Sequence, residues 1–246
     1  MPLAVFLDLY RVLADPHEMT RQFRHRMAET LRRDYGVPPA KALAIHDEAF
    51  EWYQREGAKL DAMHDIIGDG DAWERAVNKM DEMHMLYVLK AIDQEPPQNI
   101  SRFAKDFERE IVQGTNAIYP DVHPTLKAIK ERGHRVFMST NATSHNGEAA
   151  LVGGGVRDFF DDVITLEVTK SKKNRRYYWQ RTFEYTGVKP TEVLIVDDIV
   201  EYLDPAAAMG AKCVQMIRPE FKGLLQRGPY MVITSLSTLP RTLDDL

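Results

Sequence analysis

Four polar residues stand one or two positions after apolar runs, where buried strands would end. They are Asp8, Thr140, Asp197 and Asp198. Ligands of open α/β sheets bind beyond the carboxyl ends of the strands, so these side chains would meet at one edge. A carboxylate there can act as a nucleophile or bind a cation, and a hydroxyl can donate to a transferring group. Each residue taken alone is equally typical of a helix cap or a turn.

A basic segment lies between these positions and contains Lys170, Lys172 and Lys173. A lysine close to Asp8 would keep its carboxylate ionised and attract an anionic substrate. A solvated face is the common alternative for such a run. Three carboxylates in one small space cannot all ionise unaided, and Mg²⁺, which prefers carboxylate and phosphate oxygens, would offset their repulsion. The residues alone do not decide which lysine approaches Asp8.

Two kinds of element must position these residues. Residues 3–7 predict a buried strand, after which about a hundred residues show helical periodicity, with helices at about 16–35, from 39 onward, and at about 72–92 and 101–112. The third helix is expected to turn Trp73, Val77, Met80 and Met83 toward a core. From Tyr119 onward strands alternate with helices, which predicts βαβ units and a parallel sheet. We expect an α/β core from 1–14 and 115–246, and an all-helical insertion over 15–114.

The segment at residues 5–15 resembles the first motif of the haloacid dehalogenase superfamily, hhhDxDGTh. Thr140 and Asn141 match the second motif, Asp197 and Asp198 the acidic fourth motif, and an ungapped overlay places the motif lysine at Lys173, with Lys170 and Lys172 as alternatives. The resemblance implies a Rossmann-like parallel-sheet core with an inserted helical cap. It also implies a nucleophile at Asp8, catalytic positions at Tyr10, Thr140 and Lys173, substrate contacts by Asn141, and Mg²⁺ held by Asp8, Asp197 and Asp198.

Three residues depart from that first motif. Tyr10 replaces the second aspartate, Arg11 the glycine and Val12 the threonine. Tyrosine, with an ordinary pKa of about 10, is a poor acid for protonating a leaving group at neutral pH. L-2-haloacid dehalogenases carry tyrosine at this place, and halide leaves without a proton, but those enzymes use no metal. Arg11 either contacts an anionic substrate or lies in solvent, and it stands where a glycine permits an unusual backbone shape.

Three hypotheses follow. The first is a Mg²⁺-dependent hydrolase that attacks a small phosphorylated or other anionic substrate through an aspartyl-enzyme intermediate. The second is a dehalogenase-type hydrolase that cleaves a carbon–halogen bond without metal. The third is a weakly active or inactive binding protein with the same fold.

Composition limits the partners and the location of the chain. The 246 residues are 44% hydrophobic and carry a net charge of −5, so we expect no nucleic-acid partner. The single cysteine, Cys213, is interpreted as a buried strand thiol, and no internal disulfide can form. No apolar run approaches the length of a membrane span, and the first residues lack a secretory pattern. We expect a cytoplasmic protein with no membrane contact, whose methionine-rich helices could form a homodimer surface.

Overall fold

A six-stranded parallel sheet forms the centre of the computed structural model, which describes residues 3–245. The strands are β1 (Ala4–Leu7), β2 (Arg135–Ser139), β3 (Asp162–Ile164), β4 (Val193–Asp197), β5 (Lys212–Met216) and β6 (Met231–Ile233), in the order β3-β2-β1-β4-β5-β6. In the register of this sheet, Phe6 of β1 lies opposite Phe137 of β2 and Ile195 of β4. The first strand therefore lies between strands that come more than a hundred residues later, and the predicted α/β parallel-sheet fold is confirmed.

Five helices follow β1 and precede the helix that leads into β2. They are α1 (Pro16–Tyr35), α2 (Pro39–Ala62), α3 (His64–Ile67), α4 (Asp71–Ala91) and α5 (Ile100–Gln113). Asp15 caps α1 by accepting from the backbone N–H groups of His17 and Glu18, and Gly36 ends it with φ of 66°. A buried apolar cluster from α1, α2, α4, α5 and their connections, with Met27, Ile45 and Val88 among its members, holds these helices together.

The buried face of α4 differs from the predicted one. Met83 is 45% exposed, whereas Met85, Val88 and Leu89 are buried. The physical reason is Asp81, which occupies the centre of the buried face at regular helical spacing and is only 6% exposed. A carboxylate in that position breaks the apolar period on which the prediction rested.

Six further helices complete the core: α6 (Val122–Glu131), α7 (Ser144–Gly153), α8 (Leu166–Thr169), α9 (Arg176–Thr186), α10 (Val200–Ala207) and α11 (Leu239–Asp244). Helix α7 was not predicted, because its glycines lower helix propensity. Those glycines permit close packing: a Cβ on Gly147 would lie 3.0 Å from the side chain of Met138, and one on Gly153 would lie 2.3 Å from the carbonyl oxygen of Thr115. Tertiary packing therefore outweighs propensity in this segment.

The structure also tests the expectations about Cys213 and about membrane-spanning helices. Cys213 lies on β5 as expected, but its side chain is partly exposed rather than buried. Within residues 3–245, no helix is long and apolar enough to cross a bilayer.

Candidate active site

Three carboxylates converge where β1 and β4 end side by side. The backbone N–H of Asp8 donates to the carbonyl oxygen of Val196 at 3.0 Å, which extends the pairing of these two strands by one residue. Asp8, Asp197 and Asp198 are all buried, and one carboxylate oxygen from each lies within 4.8 Å of the others. We call these three residues the strand-end cluster. The parallel sheet thus brings together the acidic residues that the sequence analysis singled out.

Lys173 is the lysine that reaches this cluster. Its Nζ donates to Oδ1 of Asp8 at 2.6 Å and to the carbonyl oxygen of Ser139 at 3.0 Å, and it also contacts the carboxylate of Asp197. Its side chain is fully buried. The other two lysines point elsewhere, since Lys170 pairs with Asp71 at 2.6 Å and Lys172 with Asp61 at 2.8 Å. Of the three alternatives, only Lys173 can compensate the buried charge of Asp8.

Two neighbours fix the backbone of Lys173. Asn141 accepts from the Lys173 backbone N–H through Oδ1 at 2.9 Å, and the indole Nε1 of Trp179 donates to the Lys173 carbonyl oxygen at 3.1 Å. Thr140 is also buried, and its hydroxyl oxygen accepts from the backbone N–H of Ala142 at 3.1 Å. That bond uses the oxygen as an acceptor and leaves the hydroxyl proton of Thr140 for another partner.

Arg11 neutralises the third carboxylate of the cluster. Its guanidinium donates to Oδ2 of Asp198 at 2.7 Å and lies over the ring of Phe221, while its side chain remains 37% exposed. The interpretation of Arg11 as a residue directed into solvent is therefore wrong. Its backbone adopts φ of 63°, in the region that favours glycine, so the loop keeps the motif's shape at a cost in strain. Val12 next to it is fully buried and offers no hydroxyl.

Tyr10 has its hydroxyl proton committed to a neighbour. The hydroxyl donates to Oδ1 of Asn146 at 2.7 Å, and the Asn146 amide donates in turn to Oε1 of Glu108 at 2.7 Å. Burial, followed by the nearby Glu108 carboxylate, raises the pKa of Tyr10 well above its ordinary value. The phenol is therefore neutral and is not placed to give up a proton. Sequence analysis missed Asn146 and Glu108, because one stands on the unpredicted α7 and the other on a helix that carried no motif.

The cluster opens into a cavity of about 520 Å³ between the sheet edge and the helical insertion. The proposed site residues that line it are Asp8, Tyr10, Arg11, Thr140, Asn141 and Asp198. The insertion contributes mainly apolar and aromatic walls, including Tyr53, Trp73 and Met80. A small molecule could thus contact the acidic sheet edge at one end and an apolar surface at the other.

The electrostatics of the cluster favour an additional cation. Burial raises the pKa of Asp8 to about 8, and the carboxylates of Asp197 and Asp198 add to this shift, while Lys173 opposes it. Burial and the Asp197 carboxylate likewise raise the pKa of Asp198 to about 6, against the effect of Arg11. Three buried carboxylates thus face two cationic side chains. An oxygen-binding divalent cation would relieve this imbalance, and the donor set of three carboxylates suits such an ion.

Comparison with known proteins agrees with this geometry. The family model for a haloacid dehalogenase-like hydrolase matches residues 3–210. The chain is 34% identical over 105 residues to enolase-phosphatase E1 of Sorangium cellulosum, a match covering 42% of this chain and 44% of that enzyme. A phosphatase of Mycobacterium tuberculosis is 26% identical over 162 residues, covering 60% of this chain and 72% of the relative.

A solved structure supports the fold over the whole chain. The L-2-haloacid dehalogenase of Xanthobacter autotrophicus superposes with a TM-score of 0.63 at 19% identity and covers 100% of both chains. At that identity the likeness concerns the fold alone. The family match, by contrast, spans most of the sequence, from before Asp8 to beyond Asp198. The chain belongs to the haloacid dehalogenase-like hydrolases.

Proposed function

We propose that this hydrolase is a Mg²⁺-dependent phosphohydrolase that acts on a small phosphorylated substrate with Asp8 as its nucleophile. The observation that carries the proposal is the strand-end cluster, where Asp8 lies beside two further carboxylates and the buried ammonium of Lys173. The matches to two phosphatases add support. The helical insertion, residues 15–114, would serve as a cap over the cavity and hold the organic part of the substrate.

Asp8, Asp197 and Asp198 are the residues that would hold Mg²⁺, and the ion would supply positive charge for the phosphate and for the carboxylates. Lys173 opposes the effect of burial on the pKa of Asp8 and orients its carboxylate, and with the ion bound Asp8 would be ionised for attack on phosphorus. Thr140 can donate its hydroxyl proton to an oxygen of the transferring group. Attack forms an aspartyl-phosphate and breaks the bond to the leaving oxygen, and water then releases phosphate and restores Asp8.

The environment of Tyr10 limits which substrates can react quickly. A leaving alkoxide requires a proton, but the Tyr10 hydroxyl is neutral and bonded to Asn146. A phosphoanhydride, an acyl phosphate or an aryl phosphate has a leaving group that departs as a stable anion. We therefore expect this chain to prefer phosphates with weakly basic leaving groups over simple alkyl phosphates.

A panel assay with Asp8→Asn protein tests the proposal. Wild-type protein should release phosphate from aryl and acyl phosphates with Mg²⁺ and stop in EDTA, and Asp8→Asn should lose about 10⁴-fold or more in rate. Asp106→Asn is the matched control, because that exposed carboxylate pairs with Arg109 and does not line the cavity. Phosphate release that persists in Asp8→Asn protein would refute the proposal. A protein that binds Mg²⁺ but releases nothing would instead support a binding role for the fold.

Dehalogenase-type hydrolysis is the second candidate, and two observations favour it. Tyr10 offers no acid, and Arg11 already supplies a cation to Asp198. Halide departs without protonation, so neither feature would hinder attack of Asp8 on carbon. Halide release from a 2-haloacid that continues in EDTA, without phosphate release from the panel, would support this chemistry in place of the first.

A further inference from the structure

A second group of metal-binding side chains lies between helices, away from the sheet edge. Asp81 of α4, Glu108 of α5 and His145 of α7 place one ligand atom each within 4.8 Å of one another. We call them the interhelical cluster. Two of its members belong to the helical insertion, and the third stands near the start of a helix of the α/β core. His145 is 1% exposed and Asp81 is 6% exposed, whereas the Glu108 side chain is 26% exposed, and Asp81 and Glu108 both line a cavity between the helices.

The two contacts between the imidazole and the carboxylates of this cluster are longer than most hydrogen bonds. Nε2 of His145 lies 3.4 Å from Oδ2 of Asp81 and 3.4 Å from Oε2 of Glu108, whereas such hydrogen bonds measure about 2.7–3.2 Å. A tetrahedral ion with bonds of about 2.1 Å to nitrogen and oxygen holds its ligand atoms about 3.4 Å apart. Both distances to Nε2 of His145 match this value.

One buried oxygen has no hydrogen-bond partner at all. Within the described residues Oδ2 of Asp81 accepts no hydrogen bond, and its ion-pair contact is Nε2 of His145 at 3.4 Å. An orphaned carboxylate oxygen at such depth is costly unless something else binds it. The unsatisfied oxygen is an observation independent of the spacing, and it lies on the side of Asp81 that faces the imidazole.

Neighbouring residues orient both carboxylates toward the imidazole. The Tyr53 hydroxyl donates to Oδ1 of Asp81 at 3.1 Å, and the Asn146 amide donates to Oε1 of Glu108 at 2.7 Å. In each case the second oxygen is the one that faces His145. Hydrogen bonds to the outer oxygen of a ligating carboxylate are the usual support for a metal site. The competing contact is the Thr143 hydroxyl, whose oxygen is 3.1 Å from Nε2 of His145.

We propose that Asp81, Glu108 and His145 bind a transition-metal ion of the Zn²⁺ class. One imidazole nitrogen with two carboxylate oxygens suits Zn²⁺, and it does not suit Mg²⁺, which prefers oxygen ligands and bound water. The ion would tie α4 and α5 of the insertion to α7 of the core. Through Asn146, which bonds both Glu108 and the Tyr10 hydroxyl, it would also fix the position of Tyr10 at the edge of the active site.

Zinc binding by the intact protein is the test. Metal-free protein is titrated with Zn²⁺ in excess Mg²⁺, and bound zinc is measured after dialysis beside the thermal unfolding midpoint. We expect one tightly bound Zn²⁺ per chain, and a midpoint about 5–10 °C higher when free Zn²⁺ is about 100 times its Kd. Failure of wild-type protein to retain zinc would overturn the proposal, and the cluster would then be an ion triad of an imidazolium and two carboxylates.

Variants locate the ion. His145→Gln and Asp81→Asn keep the side-chain size and should weaken zinc binding by at least about 100-fold, more than the loss of an outer hydrogen bond usually does. His46→Gln is the matched control. Like His145, His46 carries a buried imidazole, but it stands on α2 and lies outside the cluster. Asp198→Asn alters only the strand-end cluster and should leave zinc binding intact. Unchanged affinity in His145→Gln, or its loss in Asp198→Asn, would contradict the assignment.

Discussion

Both acidic clusters bring carboxylates close together, and they differ in the groups that offset the negative charge. The strand-end cluster places three carboxylates at the ends of β1 and β4, and it uses Lys173 and Arg11 as cations. The interhelical cluster has two carboxylates and one imidazole, all on helices. The first opens into a cavity of about 520 Å³, whereas the second lies between helices and borders a smaller cavity of about 170 Å³. The strand ends at the sheet edge thus provide reactive groups, and the helix faces provide groups that are held in place by packing.

The connection between the clusters is the chain of side chains from Tyr10 to Glu108. The Tyr10 hydroxyl donates to Asn146, and the Asn146 amide donates to Glu108. In the superfamily motif the position of Tyr10 holds an aspartate, which would face the substrate. Here the side chain is instead bonded to the network of the interhelical cluster. Because Tyr10 is bonded to Asn146 and does not protonate a leaving group, we expect the strand-end cluster to act on phosphates with weakly basic leaving groups.

Replacing Lys173 in one cluster and His145 in the other should give the largest difference in the free energy of unfolding. Lys173→Met leaves Asp8 and Asp197 without a buried partner, so the free energy of unfolding should fall by about 3–5 kcal/mol and phosphate release by about 10³-fold. His145→Gln keeps a hydrogen-bond donor and should cost about 1–3 kcal/mol in metal-free protein. Urea unfolding at neutral pH measures both. Equal losses of stability would contradict the distinction between the clusters.

Replacing Tyr10 should restore the missing acid. Tyr10→Asp is expected to raise phosphate release from alkyl phosphates by about 10²–10⁴-fold, with little change for aryl phosphates whose leaving groups need no proton. Tyr10→Phe is the control, because it breaks the bond to Asn146 without adding an acid. Rates across a series of leaving groups measure the effect. An equal gain in Tyr10→Phe would mean that freeing Asn146, and not the acid, is what matters.

The pH dependence of Mg²⁺ affinity should report the strand-end cluster alone. Below its raised pKa of about 8, Asp8 binds a proton that Mg²⁺ must displace, and the same holds for Asp198 below about pH 6. Affinity should therefore rise by about 10–100-fold from pH 6 to 8 and level off above that. Calorimetric titration measures it, and Glu108→Gln should leave the profile unchanged. A flat profile in wild-type protein would contradict the role of Asp8 in binding.

Substitution of Arg11 should change Mg²⁺ affinity and stability least among these variants. Arg11→Gly removes the guanidinium from Asp198 and relieves the backbone strain at φ of 63°, so Mg²⁺ affinity should rise by about tenfold. Arg11→Ala removes the same charge but keeps the strained backbone, so the difference in unfolding free energy between the two variants isolates the strain, which should be about 1 kcal/mol. Weaker Mg²⁺ binding in both variants would show that Arg11 supports the cation site.

The fold was largely predictable because its elements carry strong local signals. The run before Asp8 and the run before Asp197 are continuous apolar strands, as expected when both faces of a sheet are covered. Helix α1 begins and ends where its cap residues indicate. Helix α7 and the buried face of α4 were missed for a common reason. In both, the decisive residues interrupt the helical spacing of apolar residues. In α7 they are glycines that allow close packing, and in α4 it is the buried carboxylate of Asp81.

The candidate site was predictable to the extent that the sheet determines it. Parallel strands place their carboxyl ends at one edge, so Asp8, Thr140 and Asp197 had to come together. The ion pair between Arg11 and Asp198 depends on a loop conformation that arginine seldom adopts, and no pattern indicates it. The bond from Tyr10 to Asn146 joins residues 136 positions apart through a helix that the sequence did not predict. The homodimer surface stays a prediction.

Trapping with beryllofluoride tests the central claim most directly, because it needs no knowledge of the natural substrate. Beryllofluoride binds an aspartate carboxylate as a mimic of the aspartyl-phosphate. Fluorine NMR of wild-type protein should show protein-bound beryllofluoride with Mg²⁺ and none in EDTA, and Asp8→Asn protein should show none in either case. No bound signal in wild-type protein with Mg²⁺, or one that persists in Asp8→Asn, would contradict Asp8 as the nucleophile of a Mg²⁺-dependent phosphohydrolase.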